Sequence, residues 1–272
     1  MTLVGDHVDL ASPAIKLSSV TRTFPSARGE FTALTDVTLE VRPGEFVSVV
    51  GPSGCGKSTV LGLLAGLATP ASGTVETFNH PVRGVNRDVG FIFQRDALLP
   101  WRTAVQNVAL PLRYQGMPKK QALEKARDWL KRVRLGQFAE SYPHQLSGGM
   151  RKRVAIAATL AYQPKIILMD EPFSALDVQT RTHMEDDLLS LWQEYRPSVL
   201  FITHDLEEAV GLSDRVVVMS ASPGTVIGDY PIDLPRPRNL MEVRFEPKFT
   251  DLYHRIWEQL RAEVQRSHAE EH

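Results

Sequence analysis

The feature that most limits the fold of this chain is a glycine-rich loop between a predicted strand and a predicted helix. Residues 45–50 form an apolar run typical of a buried strand, and the next eight, 51–58, have the pattern G-x4-G-K-S. After Lys57, apolar residues recur at helical spacing until Pro70 and Gly73 end the pattern. A strand, a glycine loop and a helix in this order predict a phosphate-binding loop.

Each residue type in this loop has a chemical reason. Glycines let successive backbone N–H groups turn inward around phosphate oxygens, and the helix that follows directs its positive end at the same charge. Lys57 can neutralise the β- and γ-phosphates, and the Ser58 hydroxyl can ligate Mg²⁺. Cys55 occupies a position that this chemistry does not need, and we expect a maleimide attached there to block nucleotide entry.

Two later strands carry polar side chains at their carboxyl ends. The apolar run 166–169 leads into Asp170 and Glu171, and the run 199–202 leads into Thr203 and His204. Because ligands bind at the carboxyl ends of parallel strands, we expect these side chains to face a nucleotide crevice. Consecutive strand residues point in opposite directions, so Asp170 is predicted to hold Mg²⁺ and Glu171 to orient or deprotonate the attacking water.

A third motif, Leu146-Ser147-Gly148-Gly149-Met150, precedes a helix predicted over residues 150–162. Ser147 can act simply as the cap of that helix. Two glycines beside a helix N-terminus can also form a second phosphate-binding surface. The motif by itself leaves both interpretations open.

The remaining patterns predict the rest of an α/β fold. Alternating residues over 14–21 and 33–41 indicate antiparallel strands, and strands alternating with helices over 150–203 indicate a parallel sheet. Residues 98–142 contain little strand-like sequence, and an amphipathic helix is predicted after Pro118, so this segment is interpreted as a helical insertion. An apolar stripe at helical spacing over 249–264 predicts a terminal helix.

Composition excludes several classes of protein. The net charge of −1 over 272 residues provides no basic field for a nucleic-acid backbone. No apolar run approaches the roughly 18 residues of a spanning helix, and residues 1–12 lack the basic start and apolar stretch of a secretion signal. The single cysteine excludes an internal disulfide and is typical of a reducing cytosol.

The order and spacing of the phosphate loop, Leu-Ser-Gly-Gly, the Asp-Glu strand end and the histidine resemble the nucleotide-binding subunit of the ABC transporters. The resemblance covers about residues 14–245. It implies an α/β fold of the P-loop NTPase type, with a RecA-like core and parallel sheet, an antiparallel β subdomain and a helical subdomain inserted at about 97–154. Residues 246–272 would form the C-terminal helix.

The resemblance also implies an activity and an assembly. The chain would hydrolyse ATP with Mg²⁺ as a head-to-tail dimer, in which Leu-Ser-Gly-Gly of one copy closes on the γ-phosphate bound by the other. Residues 174–177 match the loop that links the two ATP sites, and Phe24 matches the aromatic that stacks on adenine. The implied catalytic residues are Glu171, His204 and Gln94, and the implied Mg²⁺ ligands are Ser58, Gln94 and Asp170. The implied nucleotide-binding residues are Phe24, Gly51, Pro52, Ser53, Gly54, Cys55, Gly56, Lys57, Ser58, Thr59, Ser147, Gly148 and Gly149.

Three segments, 144–150, 99–101 and 170–173, are similar to the nitrate, sulfonate and taurine importer group. That likeness implies a motor subunit, peripheral at the cytoplasmic face of the cell membrane. Its partners would be a second copy, transmembrane permease subunits and, indirectly, a periplasmic or extracellular solute-binding protein.

Two alternatives remain at this point. One is a soluble ABC-type ATPase of DNA repair or translation, and the other is a P-loop kinase or GTPase, which would have no reason to carry residues 146–149. The apolar residues 98–101 would receive a permease helix if exposed, or pack inside the insertion if buried.

Overall fold

A computed structural model describes residues 12–26 and 29–270, with side chains described as far as residue 266. Residues 1–11, on which most of the secretion-signal prediction rests, lie outside the described part. Strands and helices are numbered along the chain. The strands are β1 Ile15–Ser26, β2 Gly29–Val41, β3 Phe46–Val50, β4 Ser72–Thr77, β5 His80–Pro81, β6 Val89–Ile92, β7 Ile166–Asp170, β8 Ser198–Ile202, β9 Arg215–Met219 and β10 Val226–Pro231. The helices are α1 Lys57–Leu64, α2 Ala104–Tyr114, α3 Lys119–Arg132, α4 Gly148–Leu160, α5 Val178–Tyr195, α6 Leu206–Leu212, α7 Leu240–Val243 and α8 Pro247–Glu270.

The described strands form two sheets. The larger has the order β10-β9-β3-β8-β7-β6, and its strands are parallel except for β10, which pairs antiparallel with β9 at one edge. The smaller has the order β2-β1-β4-β5 and is antiparallel throughout. The predicted combination of a parallel sheet with an antiparallel β subdomain is confirmed.

The parallel sheet separates two hydrophobic clusters because its strands are buried on both faces. Phe46 and Val50 of β3 belong to the cluster that includes the inserted helices, whereas Val47 and Val49 belong to the cluster with α1 and the antiparallel sheet. Alternate residues of β3 therefore point to opposite sides, and every residue of the strand is buried. This double burial explains the uninterrupted apolar runs of the sequence.

The helical insertion packs through apolar faces. In α3, the buried side chains include Ala122, Ala126, Trp129 and Leu130, at the spacing that predicted an amphipathic helix. Helix α2, which the sequence analysis did not resolve, begins at a capping box formed by Thr103 and Gln106.

Helix α4 begins at Gly148, two residues before the predicted start, because the Ser147 hydroxyl accepts a hydrogen bond from the Met150 backbone at 3.3 Å. At the C-terminus, α8 packs on α6 and β9 and buries Phe249, Leu252, Ile256 and Leu260. The predicted terminal helix is therefore present.

Candidate active site

The phosphate loop is held in shape by contacts with β2 and β9. Gly56 has a φ of 94°, and a Cβ atom there would lie 2.8 Å from the Ala33 carbonyl oxygen. A Cβ on Gly51 would lie 2.9 Å from the Met219 carbonyl oxygen. Both positions therefore require glycine, for conformation at Gly56 and for close approach at both. The Lys57 ammonium donates to the carbonyl oxygens of Gly51 at 2.7 Å and Pro52 at 2.8 Å, which aligns it along the loop.

A cavity of about 330 Å³ opens at this loop. One of its walls is aromatic, because Phe24 of β1 pairs with Phe31 of β2 across the hairpin. The Arg22 guanidinium lies 4.5 Å from the centre of the Phe24 ring. Phe31 was not predicted: the strand pattern was recognised only over residues 14–21 and 33–41, so the pairing beyond those ends was missed. The lining residues are Phe24, Phe31, Ala33, Ser53, Gly54, Gly56, Lys57, Ser58, Thr59 and Glu171.

Ser58 and Asp170 meet where α1 begins and β7 ends. The Ser58 hydroxyl donates to Asp170 Oδ1 at 3.1 Å, across 112 residues of sequence. Burial raises the pKa of Asp170 and the neighbouring Glu171 charge adds to this rise, while the Ser58 hydrogen bond opposes it. The pair offers oxygen atoms of the kind that Mg²⁺ prefers.

Glu171 contacts both of the other side chains that the sequence analysis assigned to catalysis, His204 and Gln94. Its Oε2 atom lies 3.1 Å from His204 Nδ1 and accepts from Gln94 Nε2 at 3.4 Å. Glu171 has a φ of 41°, a left-handed conformation that is rare for a residue with a side chain and recurs at functional sites. Its N–H donates to the Ile202 carbonyl at 2.9 Å, which ties it to β8, the strand that ends at His204. Tertiary structure therefore assembles this cluster from residues that lie between 33 and 110 positions apart in the sequence.

The loop that carries Gln94 is anchored to α4. Lys152, almost fully buried, donates to the carbonyl oxygens of Phe93 at 2.9 Å and Gln94 at 2.8 Å. Arg151 donates to Asp96 Oδ2 at 2.8 Å. Sequence reasoning missed both supports, although the run of basic residues 151–153 inside an otherwise packed helix was an available signal.

Ser147, Gly148 and Gly149 do not line the phosphate cavity. Ser147 caps α4, as one of the two open interpretations proposed, and it is exposed together with Gly148. A Cβ atom on Gly149 would lie 2.8 Å from Thr180 Cγ2 of α5, whereas a Cβ on Gly148 would meet only Arg151 Nη2 at 3.8 Å. Packing inside the chain thus explains why position 149 is glycine, but it does not explain the glycine at position 148.

The expectation that a maleimide would reach Cys55 is wrong. The Cys55 side chain is fully buried, and a Cβ on Gly51 would lie 2.9 Å from its Sγ atom. Burial also raises the pKa of the thiol, against the effect of nearby Lys57. Since the thiolate is the reactive form, the folded protein should react slowly at this position.

This arrangement defines a class of protein. A glycine loop at a helix N-terminus, an oxygen-rich Ser-Asp pair and a glutamate held by histidine and glutamine are the parts of a nucleoside triphosphatase site. Comparison with known proteins makes the family specific. The family model described as "ABC transporter" matches residues 34–174, and this chain belongs to the ABC transporter family.

Relatives and a solved structure agree with this membership. The nitrate import ATP-binding protein NrtD of a Synechocystis strain is 45% identical over 240 residues, covering 86% of this chain and 90% of the relative. The taurine import ATP-binding protein TauB of Burkholderia thailandensis is 41% identical over 250 residues, covering 90% and 96%. A dimeric, post-hydrolysis structure of the ATP-binding cassette MJ0796 with ADP and Pi matches at a TM-score of 0.72 and 35% identity, covering 81% of this chain and all of that one.

These likenesses favour one of the functions that the sequence left open. The chain is an ATPase of the transport type, and the DNA-repair or translation ATPase and the P-loop kinase or GTPase are not supported. Within residues 12–26 and 29–270, no helix is long and apolar enough to cross a membrane.

Proposed function

We propose that this chain is the motor subunit of an ABC importer, which hydrolyses MgATP and drives uptake of a small solute through a separate membrane permease. The observation that carries the proposal is the cluster of His204, Gln94 and Glu171 beside the Ser58–Asp170 pair. The names of the relatives, which specify nitrate import and taurine import, support an importer of that group.

The proposed roles follow from the contacts. Lys57 and the loop N–H groups bind the β- and γ-phosphates, and the Phe24 ring stacks on adenine at the aromatic wall. Glu171 Oε2 accepts a proton from the attacking water, and Gln94 orients the Glu171 carboxylate and that water. Since His204 Nδ1 faces Glu171, the other ring nitrogen, Nε2, is left to contact the γ-phosphate.

The residues where α1 begins and β7 ends are suited to binding Mg²⁺. Asp170 is a partly buried carboxylate beside a second carboxylate, an arrangement that a cation would stabilise. Mg²⁺ is typically held by one or two carboxylates together with substrate phosphates, and the described residues contain no group of three or more His, Cys, Asp and Glu side chains that could form a closed protein cage. Ser58, Asp170 and Gln94 would hold the ion, which would neutralise charge on the phosphate oxygens.

A second copy would complete the ATP site. Ser147, Gly148 and Gly149 lie outside the cavity of their own chain, and the space around Gly148 leaves room for a phosphate from another. The dimeric form of the similar cassette supports this arrangement. We therefore propose a head-to-tail dimer in which residues 174–177 connect the two sites.

The permease contact is proposed at the start of the helical insertion. Trp101 is 70% exposed and Pro100 is exposed, whereas Leu98 packs against the core, so both earlier interpretations of this patch hold in part. A cavity of about 290 Å³ lies beside Trp101 and is flanked by Arg102 and Arg113. The chain would dock there at the cytoplasmic membrane face and meet a solute-binding protein only through the permease.

Growth of the native host tests this proposal. Replacing the chromosomal allele by Lys57→Ala should abolish growth on nitrate as the only nitrogen source, or on taurine as the only sulfur source. The control Lys120→Ala changes an exposed lysine on α3 and should grow normally. Normal uptake of every candidate solute by the Lys57→Ala strain would refute the importer proposal.

A further inference from the structure

Arg181, in the first turn of α5, joins the two loops that carry Glu171 and His204. One guanidinium nitrogen, Nη1, donates to Asp205 Oδ2 at 3.0 Å, and the other, Nη2, donates to the Leu176 carbonyl at 3.2 Å. The side chain is only about one quarter exposed. Neither Arg181 nor Asp205 lines the phosphate cavity, so any effect on the reaction must pass through other residues.

Leu176, which accepts one of the two hydrogen bonds from Arg181, belongs to the same hydrogen-bonded turn as Glu171. The Ser174 hydroxyl donates to the Glu171 carbonyl at 3.0 Å, and the Leu176 N–H donates to the Phe173 carbonyl at 3.0 Å. These two hydrogen bonds hold residues 171–176 in a tight turn. Fixing Leu176 restrains the backbone of Glu171, which is already in a strained conformation.

The Asp205 end is connected to His204 in the same way. The Asp205 N–H donates to the Thr203 hydroxyl at 3.0 Å, so His204 lies between two residues that are bonded to each other. Asp205 Oδ1 caps α6 by accepting from the Glu207 N–H at 2.8 Å, which leaves Oδ2 for Arg181. The carboxylate is thus held from two sides, next to His204 in the chain.

Two buried carboxyl groups, those of Glu185 and Glu208, also lie near the Arg181 guanidinium. Burial raises the pKa of Glu185 to about 7 and that of Glu208 to about 8. Glu208 Oε1 lies 3.8 Å from Arg181 Nε, beyond hydrogen-bonding distance, and its other oxygen accepts from the Thr203 hydroxyl. Between these two carboxylates, Asp205 is therefore the one that accepts a hydrogen bond from Arg181.

We propose that Arg181 is a positioning residue that holds Glu171 and His204 at the separation needed for hydrolysis. The proposal rests on the proposed function. A guanidinium suits this task because it donates in two directions at once, toward a carboxylate and toward a carbonyl. Misplacement of reacting groups by about 1 Å costs up to about 100-fold in rate, so loss of the bridge should act on turnover.

The test compares Arg181→Gln with a matched control. Arg153 pairs with Asp187 at 3.2 Å and with the Val133 carbonyl at 3.3 Å, and it is similarly buried, but it is remote from Glu171 and His204 in its contacts. We expect Arg181→Gln to lower kcat about 10- to 100-fold, while the Kd for fluorescent ATP changes less than about twofold. Arg153→Gln should leave kcat unchanged even where it lowers the melting temperature. Equal effects of the two substitutions on kcat would overturn the proposal.

A mutant cycle separates positioning from general destabilisation. In a His204→Ala background, Arg181→Gln should lower kcat by a smaller factor than in the native protein, because the part of its effect that passes through His204 is already lost and only the part through Glu171 remains. Full additivity would overturn the proposal. Should Arg181→Gln fail to fold, Asp205→Asn tests the same contact from the other side, since asparagine also caps helices well. A wild-type kcat for a folded Asp205→Asn protein would overturn the proposal as well.

The outcomes distinguish the proposal from the function on which it rests. Glu171→Gln serves as the reference variant in the same assay. If Glu171→Gln hydrolyses ATP normally, the proposed base is wrong; if it is inactive while Arg181→Gln turns over at the wild-type rate, the positioning role alone fails.

Discussion

Glu171→Gln tests the centre of the proposed mechanism. The substitution keeps the shape of the side chain. An amide oxygen in place of Oε2 still accepts from Gln94 Nε2, at 3.4 Å in the native protein, and still lies beside His204 Nδ1, at 3.1 Å. The negative charge and the ability to accept a proton are lost. General base catalysis contributes about 10²–10⁴-fold in rate, or roughly 3–5 kcal/mol of barrier, and we expect turnover to fall by that factor.

The assay combines phosphate release with size-exclusion chromatography. The variant should bind ATP with native affinity and, because it keeps the γ-phosphate intact, accumulate as an ATP-dependent dimer. Adding Ser147→Arg should prevent this dimer by filling the surface at the start of α4. Glu124→Gln, at an exposed position on α3, is the matched control and should behave as the native protein.

Two results would count against this reasoning. A Glu171→Gln protein that hydrolyses ATP at the native rate would refute the assigned base. A variant that binds ATP without turnover and stays monomeric would leave the base standing but contradict the head-to-tail dimer.

Three further predictions address other parts of the protein. Asp170→Asn should weaken MgATP binding as well as turnover, and calorimetry with and without Mg²⁺ should show the loss only when the ion is present. Phe24→Ala should raise the Kd for ATP several-fold, corresponding to about 1 kcal/mol of stacking, while Phe24→Trp should not. Glu208→Gln should change the pH dependence of stability: the folded pKa of Glu208 is raised from 4.5 to about 8, so its contribution is fully present below 4.5 and is lost as pH rises through 8. The variant should therefore gain stability over the native protein between pH 5.5 and 8.5 in urea unfolding, by at most about 5 kcal/mol, and an unchanged difference would contradict the burial argument.

The sequence alone was sufficient to predict elements that depend on contiguous residues. A phosphate loop is a run of backbone N–H groups ahead of a helix, so its residues 51–58 reveal it without knowledge of distant partners. Strands buried on both faces are equally visible, because every residue of β3 and β8 must be suitable for the interior. The functions proposed for Asp170 and Glu171 rest on their place at the end of such a strand.

These sequence patterns could not predict contacts between segments that are distant in the sequence. Phe31 lines the cavity only because the β1–β2 hairpin extends beyond its recognisable alternation. Cys55 is buried although its neighbours Ser53 and Gly54 are exposed, since the loop turns that side chain toward β9.

Arg181 illustrates the difference between what the sequence predicts and what only the tertiary structure shows. Its sequence position, four residues after the cap of α5, indicates only a charged residue on a helix. That it joins Leu176 to Asp205 depends on the packing of α5 against α6, which no local pattern encodes. The sequence by itself determined which groups can carry the chemistry, because backbone conformation and burial of a strand are short-range properties. Only the tertiary structure decided which groups meet, because side-chain distances depend on how separate elements pack around a common core.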